Sequence, residues 1–594
     1  MNAKKELLRG ISLDGQARGG VQNMDREKIV GIAVIFMFLL LGLGVLNIEV
    51  IQSRQYRELS NKNCLRLIPQ VGARGIIFDS EGDIIVDNKL SYDVMLLPQN
   101  TKQPTQVLNS VSGILGASPD NLKKAFNEGF IAPSVPITIA KNIDIKKAIA
   151  LEELKLDLPG IIIQPRPQRR YPYGKLASHV LGYVNEIDRW RLTKLEDYGY
   201  KTKDIVGFGG VEEKYDYYLR QEEGGLSVEV DHQGRFMRVL GFKPPRNGKD
   251  MQLTLNIKIQ KIVEDMLRDR KGCVVLMDPF SGEIVAMASS PDFNPAVFVD
   301  KASSSILDLF NDSRSPLINR AISATYPAGS VFKVIVAAAA LETGKINLHT
   351  TFLCQGGTLV GNKEFACWNK HGEQDLTAAI THSCNVFFYK TGLMVGPQSI
   401  HDYAVKFGLS KPTSIDLPYE AAGLISSPLW QKIHKFRNWF PGDTANFSIG
   451  QGDVLVSPLQ MARVYAVFAN KGYLVKPYVV KAIESKDISA DQREIEKVPL
   501  KNSTIDYIRQ GLRNVVSNTG GTGNVLSTLP VSVAGKTGTA QAPNGQPHAW
   551  FAGFFPYKNP RFVICVFLER GGPGYLSCVL AKEIIQEMSV QGLI

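Results

Sequence analysis

The stretch Tyr326-Pro-Ala-Gly-Ser330-Val-Phe-Lys333 sets a serine hydroxyl and a lysine amine one helical turn apart at the head of a helix. Pro327 and Gly329 punctuate the chain just before Ser330. From Val331 to Leu341 nearly every residue is apolar, which predicts a buried helix, and Gly344 is its expected stop. Residues at i and i+3 share a helix face, so Lys333 can reach the Ser330 oxygen. A serine is a poor nucleophile until a base takes its proton, and a lysine desolvated among apolar neighbours can do so. The helix N-terminus also offers backbone N–H groups where an oxyanion could develop. About two Ser-x-x-Lys matches are expected by chance in a chain this long. This chain has one. Taken alone, it is equally a helix start with an N-cap serine.

Two further motifs change that. Ser383-Cys384-Asn385 begins 53 residues after Ser330, inside a helical-looking segment from Leu376 to Phe388. Lys536-Thr537-Gly538-Thr539 follows Val531-Ser-Val-Ala and precedes two strand-like runs, His548 to Phe555 and Arg561 to Leu568. A second Lys-Thr-Gly, at Lys390, reads as the basic last turn of a helix with a glycine cap. Serine–lysine, Ser-x-Asn and Lys-Thr-Gly, in that order, resemble the catalytic set of serine β-lactamases and penicillin-binding proteins.

The length of 594 residues allows several domains, and a 44% hydrophobic content allows a large core. Ile29 to Leu46 is 18 residues without a charge, long enough to span hydrocarbon if Asn47 and Ile48 extend it. Before it, Lys4, Lys5, Arg9, Arg18, Arg26 and Lys28 outnumber Glu6, Asp14, Asp25 and Glu27. The positive-inside rule therefore keeps residues 1–28 in the cytoplasm and exports the chain beyond residue 48. An uncleaved anchor is expected over a signal peptide, because no small-x-small cleavage site comes after it. The net charge of +11 is spread along the chain, with no basic run of the kind that marks nucleic-acid binding.

Residues 49–245 carry no recognisable catalytic chemistry and read as a pedestal or interaction module. Arg74 to Val86 predicts two strands around a Ser-Glu-Gly turn; Asp120 to Glu128, Asp144 to Leu156 and Trp190 to Tyr198 are helix-prone. His179 follows a helix-like apolar pattern and reads as structural. Gly241 to Gly248 separates this module from a catalytic domain, residues 246–594. There, Gly272 to Met287 predicts a hairpin turning at Pro279-Phe-Ser-Gly282. Hairpin, intervening helices, C-terminal strands and a last helix from Leu576 to Met588 predict an α+β fold with an antiparallel sheet.

Over essentially its whole length the chain resembles the class B penicillin-binding proteins, and more closely their elongation-type branch. Arg74-Gly75-Ile, Tyr171-Pro-Tyr-Gly174 to Gly182-Tyr183 and Gly209-Gly-Val-Glu212 are similar to that family's pedestal motifs, as are Pro441-Gly-Asp-Thr444 and Gly450-Gln451-Gly452 in the catalytic part. Ala73 and Ser80 depart from it, where a proline and an arginine are usual. The resemblance implies D,D-transpeptidation of peptidoglycan stem peptides through a Ser330 acyl-enzyme. Lys333 would be the base in acylation, Ser383 the proton relay and Asn385 the residue positioning the donor amide. Lys536 would supply positive charge for the substrate carboxylate and tune Ser383, and Thr537 and Thr539, with Gly538 between them, would bind that carboxylate. The Ser330 and Thr539 N–H groups would form the oxyanion hole. It implies a bacterial cytoplasmic membrane location and, since no glycosyltransferase motif is present, a polytopic RodA-type glycosyltransferase as partner.

Seven cysteines are few for an exported chain of this length. Cys354, Cys367, His371 and Cys384 cluster between the first two catalytic motifs, with spacing Cys-x12-Cys-x3-His-x12-Cys. On a helix, residues 383 and 385 point roughly 200° apart, with Cys384 between them and off the active-site edge. Three cysteines and a histidine are a structural zinc set, and elongation-type relatives often carry a metal in this segment. A Cys354–Cys367 disulfide and unlinked thiols are the alternatives. Cys64, Cys273, Cys565 and Cys578 are expected to be unpaired. Alternative functions are a division-type transpeptidase, a β-lactam sensor and a non-catalytic activator of a glycosyltransferase. Sensors usually place several spans before the binding domain, and the intact catalytic set argues against a scaffold.

Overall fold

The computed structural model describes residues 26–54, 56, 65–101, 103–130, 133, 135–230, 236–300, 303–543 and 545–594. Cys64 and most of the expected cytoplasmic tail lie outside them. The chain divides into two units, residues 1–68 with 225–242, and residues 69–224 with 243–594.

In the first unit, helix α1 (Arg26–Leu46) passes into a π-helical turn at Asn47–Ile51. Lys28–Ile51 is the one helix among the described residues long and apolar enough to cross a membrane. At 24 residues it extends about 36 Å. Strands Leu65–Gln70, Gly224–Val230 and Phe236–Lys243 form a three-stranded sheet.

The second unit is organised by twelve strands in two sheets: β1 (Ile77–Phe78), β2 (Ile84–Leu96), β3 (Ile137–Ile143), β4 (Ile161–Arg170), β5 (Met251–Leu253), β6 (Gly272–Met277), β7 (Ile284–Ser290), β8 (Val480–Ile483), β9 (Lys486–Asp487), β10 (Ala534–Ala540), β11 (His548–Phe555) and β12 (Phe562–Leu568). The first sheet has the order β9-β8-β5-β1-β2-β3, with β4 also on β2. It mixes strands from both sides of residue 246. β5 runs parallel to β1 and antiparallel to β8. The pedestal motifs meet behind this sheet. Arg74 Nε donates to Glu212 Oε2 at 2.6 Å, Arg169 Nε to Glu212 Oε1 at 2.7 Å, and Arg74 Nη2 to Asp216 Oδ1 at 2.7 Å. Glu212 is fully buried. Burial alone would raise its pKa, but the two guanidiniums hold it below the usual carboxylate range. His179 is buried, with Nε2 2.7 Å from the Pro316 carbonyl, a structural role as its pattern predicts.

The second sheet has the order β7-β6-β12-β11-β10 and is antiparallel throughout. Its central strands are buried on both faces, so β-branched and aromatic residues run without polar alternation. Alternate residues feed two cores. Val274, Leu276, Ile564 and Val566 join the C-terminal helix, Tyr575–Val590, through Leu580 and Ile584. Val275, Met277, Val563 and Cys565 join the cluster that holds the serine–lysine helix. Each such side chain contributes about 1.5–3 kcal/mol on burial. The edge strand is β10, which carries Lys-Thr-Gly.

Candidate active site

Ser330 lies in a short 3-10 turn, Gly329–Phe332, that leads into helix α2 (Lys333–Glu342). In a 3-10 turn i and i+3 eclipse, which aligns Ser330 with Lys333 more closely than an α-helix does. The helix ends before Gly344, whose φ of +65° is the expected left-handed stop. The 3-10 turn packs against edge strand β10 at backbone distance: a Cβ on Gly329, at φ +57°, would lie 2.9 Å from the Thr539 carbonyl oxygen. Gly450, at φ +72°, would put a Cβ 2.2 Å from the Gly329 carbonyl oxygen, so only glycine fits. Gly574 likewise would meet the Gly538 oxygen at 2.4 Å. Tyr465 donates to the Val331 carbonyl at 3.1 Å and Trp550 Nε1 to the Pro327 carbonyl at 3.0 Å, which fixes the turn from below.

The Ser-x-Asn segment differs from the sequence expectation of one continuous helix. Helix α3 (Leu376–Thr381) stops, and helix α4 (Asn385–Val395) begins at Asn385. Ser383 between them has φ +54°, a conformation that costs a residue with a Cβ about 1–3 kcal/mol. The turn's polar groups point at Lys333. Its Nζ donates to the Ser383 carbonyl at 2.8 Å, to Asn385 Oδ1 at 2.7 Å and to Ser383 Oγ at 3.3 Å. The helix break also corrects Lys390-Thr-Gly. That tripeptide is inside α4, where a Cβ on Gly392 would sit 2.4 Å from Ser448 Cβ; Gly396, at φ +82°, is the cap.

Both lysines are fully buried. Burial pushes the Lys333 ammonium down to about 7, with the Cys367 and Cys384 sulfurs opposing. Burial pushes Lys536 well below its ordinary value, and the Lys333 charge adds to that. Thr537 Oγ1 donates to Thr522 Oγ1 at 2.7 Å, and Thr539 Oγ1 accepts from the Gly574 N–H at 2.9 Å. Ser330, Ser383, Asn385, Thr537 and Thr539 line one cleft of about 640 Å³. Lys333 and Lys536 support it from beneath. Trp368, Tyr389, Gln451, Thr522 and Tyr575 also line it. Sequence reasoning assigned none of these five, although Gln451 falls in a quoted Gly-Gln-Gly motif and Trp368 is the neighbour of Cys367.

Cys354, Cys367, His371 and Cys384 converge behind the Ser-x-Asn turn, with ligand atoms within 4.8 Å of one another. Cys354 Sγ and Cys367 Sγ each lie 3.5 Å from His371 Nδ1. Around a tetrahedral ion with bonds of about 2.3 Å to sulfur and 2.0 Å to nitrogen, that separation is expected. The donor set therefore fits a closed structural site. Cys367 also accepts the Asn385 N–H at 3.2 Å, which ties the cluster to the first residue of α4. The hydrogen bond from Cys384 and those from backbone N–H groups hold the Cys367 thiol below its ordinary value. Cys354 and Cys367 are free, as are the buried Cys273, Cys565 and Cys578.

A family model described as the penicillin-binding protein transpeptidase domain matches residues 272–588, and one described as the penicillin-binding protein dimerisation domain matches residues 69–253. The peptidoglycan D,D-transpeptidase MrdA of Salmonella typhimurium is 31% identical over 95% of this chain and 96% of its own. The chain belongs to the class B penicillin-binding proteins of the PBP2 type. Among solved structures, the Helicobacter pylori PBP2 in complex with MreC is 28% identical, with a TM-score of 0.79 over 89% of this chain and 99% of that one. A structure described as the coordination of polymerization and crosslinking by a peptidoglycan synthase complex is also 28% identical, with a TM-score of 0.71 over 96% and 99%. In this PBP2-type chain the matched transpeptidase range contains all three catalytic motifs and the whole cysteine–histidine cluster.

Proposed function

We propose that this penicillin-binding protein is the peptidoglycan D,D-transpeptidase of cell elongation, working through a Ser330 acyl-enzyme. The observation that carries the reading is the fully buried Lys333, brought down to about 7 and hydrogen-bonded to Ser383 and Asn385 beside the Ser330 turn. At neutral pH a substantial share of Lys333 is the free amine, able to take the Ser330 proton. Ser330 Oγ bonds to the carbonyl carbon of the penultimate D-alanine of one stem. The oxyanion is met by the N–H groups of Ser330 and Thr539. The C–N bond to the terminal D-alanine then breaks, and its nitrogen takes a proton relayed through Ser383. Thr537 and Thr539, over the buried Lys536, hold the departing residue's carboxylate. An amine of a second stem attacks the Ser330 ester, returns its proton along the same path and leaves a new amide cross-link. A β-lactam stops at the ester, since its leaving group stays tethered.

A zinc ion held by Cys354, Cys367, His371 and Cys384 would supply rigidity to the Ser-x-Asn turn, with no part in the reaction. The support for it is the donor geometry and the Asn385 N–H bond to Cys367. The Lys28–Ile51 helix supports a single-pass anchor in the cytoplasmic membrane with the catalytic part outside. The MreC complex and the synthase complex among the structural neighbours support elongation-complex partners, including a RodA-type glycosyltransferase that makes the strands to be joined.

The test is fluorescent-penicillin labelling of the full-length chain beside Ser330→Ala, with the labelled peptide located by mass spectrometry. A stoichiometric adduct on Ser330, absent from the variant, is expected. A folded, metal-replete chain that takes no label would remove the catalytic assignment and favour the scaffold reading.

A further inference from the structure

Apart from the catalytic cleft, a second cleft of about 650 Å³ opens in the pedestal, between the turn Glu196–Tyr198, the helix Asp216–Leu219 and residues 243–249. Four tyrosines, Tyr198, Tyr200, Tyr217 and Tyr218, stand in its mostly polar lining. Tyr198 and Tyr217 are 67% and 69% exposed, and Tyr218 meets Tyr217 edge-on with ring centroids 5.6 Å apart. The Tyr200 ring and the backbone at Tyr198 are held in place. Arg220 lies 4.0 Å over the Tyr200 ring and donates to the Tyr198 and Gly199 carbonyls at 3.4 and 3.5 Å. The Tyr200 hydroxyl donates at 2.6 Å to Asp216, which also accepts from the buried Arg74.

Most of the charges around these rings are paired: the lining sets Lys201, Arg220, Lys243, Arg246 and Lys249 against Asp204, Glu222, Glu223 and Glu484. Lys201 pairs with Glu223 at 3.3 Å, Lys249 with Glu484 at 2.9 Å and Arg246 with Glu222 at 3.8 Å. A phosphate or an anionic lipid surface is recognised by unpaired cations, and three of this cleft's cations are already matched. Flat exposed rings among neutralised polar groups fit a ligand with an apolar face and hydrogen-bonding edges. A pyranose is such a ligand: its C–H face stacks on an aromatic ring while hydroxyl and acetamido groups reach the charged and amide side chains at the rim.

We propose that this cleft binds the amino-sugar backbone of a peptidoglycan strand, as a site separate from the one that acts on stem peptides. The proposal rests on the transpeptidase reading above, because that strand carries the stems. The test uses the full-length chain in detergent and fluorescently labelled glycan strands freed of stem peptides. Binding is compared for the unmodified chain, Tyr198→Ala with Tyr217→Ala, and Tyr217→Trp. Penicillin labelling is measured on each sample. The double alanine variant is expected to bind at least about tenfold more weakly, Tyr217→Trp to keep binding, and all three to label alike. Equal binding by the double variant, or no binding by the unmodified chain, overturns the proposal. So does tyrosine-dependent binding to anionic vesicles without binding to glycan. Loss of penicillin labelling with glycan binding intact would strike the transpeptidase reading alone and leave the cleft a carbohydrate site.

Discussion

The two sides of the catalytic cleft are built by different means. On one side, Lys536, Thr537 and Thr539 ride on β10, and their positions are set by the sheet register, Lys536 opposite Ala552 and Thr539 opposite Ala549. Ser330 is pressed against that strand at Gly329, where a Cβ would lie 2.9 Å from the Thr539 carbonyl oxygen. On the other side, Ser383 and Asn385 sit in a strained break between two helices, held by Lys333 in front and the cysteine–histidine cluster behind. The sheet side is fixed by backbone packing and the turn side by side-chain ligands. The first should fail all at once, and the second in degrees.

The largest effect is expected from Gly450→Ala on the packed side. Left-handed strain and overlap with Gly329 together cost about 2–5 kcal/mol. Penicillin acylation should fall at least about 100-fold, because a misplaced nucleophile loses that much; thermal unfolding and labelling rates read both effects. On the ligand-held side, Cys384→Ser should slow acylation about tenfold or more and lower Tm. A chelator should do the same to the unmodified chain and add little to the variant. A variant that labels at full rate after chelation would show that the turn holds itself.

The pH profile sharpens the comparison where the two sides meet. Below about 7 the acylation rate should rise about tenfold per pH unit as Lys333 loses its proton, and it should level above that. The linked stability has a definite sign. Lys333 holds its proton less tightly folded than unfolded, so the unfolded chain binds more protons between about 7 and 10.5. Stability therefore gains from this group as pH rises through that window and loses the gain as pH falls back to about 7. The smallest effect belongs to Lys390→Ala, which alters the spare Lys-Thr-Gly within α4. Labelling should stay within about twofold, and a larger loss would mean that this helix bears on the cleft.

The same contrast explains what could be read from the sequence. β11 and the turn of the β6–β7 hairpin were legible because an unbroken apolar strand between turn residues admits one reading. The Ser330 helix was legible because Val331 to Leu341 is apolar and Gly344 marks its end. The break at Ser383 was not. Leu376 to Phe388 has helical character on both flanks, and what interrupts it is Lys333, 50 residues earlier in the chain, hydrogen-bonding the Ser383 carbonyl. Gly392 read as a cap because its need for a close neighbour, Ser448, is invisible along the chain. The cysteine–histidine cluster was legible as a set of residue types. That it braces Asn385 through a backbone N–H required coordinates.

The mixed sheet of the second unit has a consequence for how the protein is made. β1 and β2 leave the ribosome early, yet their sheet gains β5 only after residue 251 and β8 only after residue 480. Until β5 arrives β1 keeps an open edge of unpaired N–H and C=O groups, and β5 keeps one until β8 arrives, the kind of edge that invites pairing with the wrong chain. A fragment ending near residue 245 would carry the β1 edge permanently. This sheet is therefore completed only when β8 and β9 arrive, although its first strands are encoded about 400 residues before them.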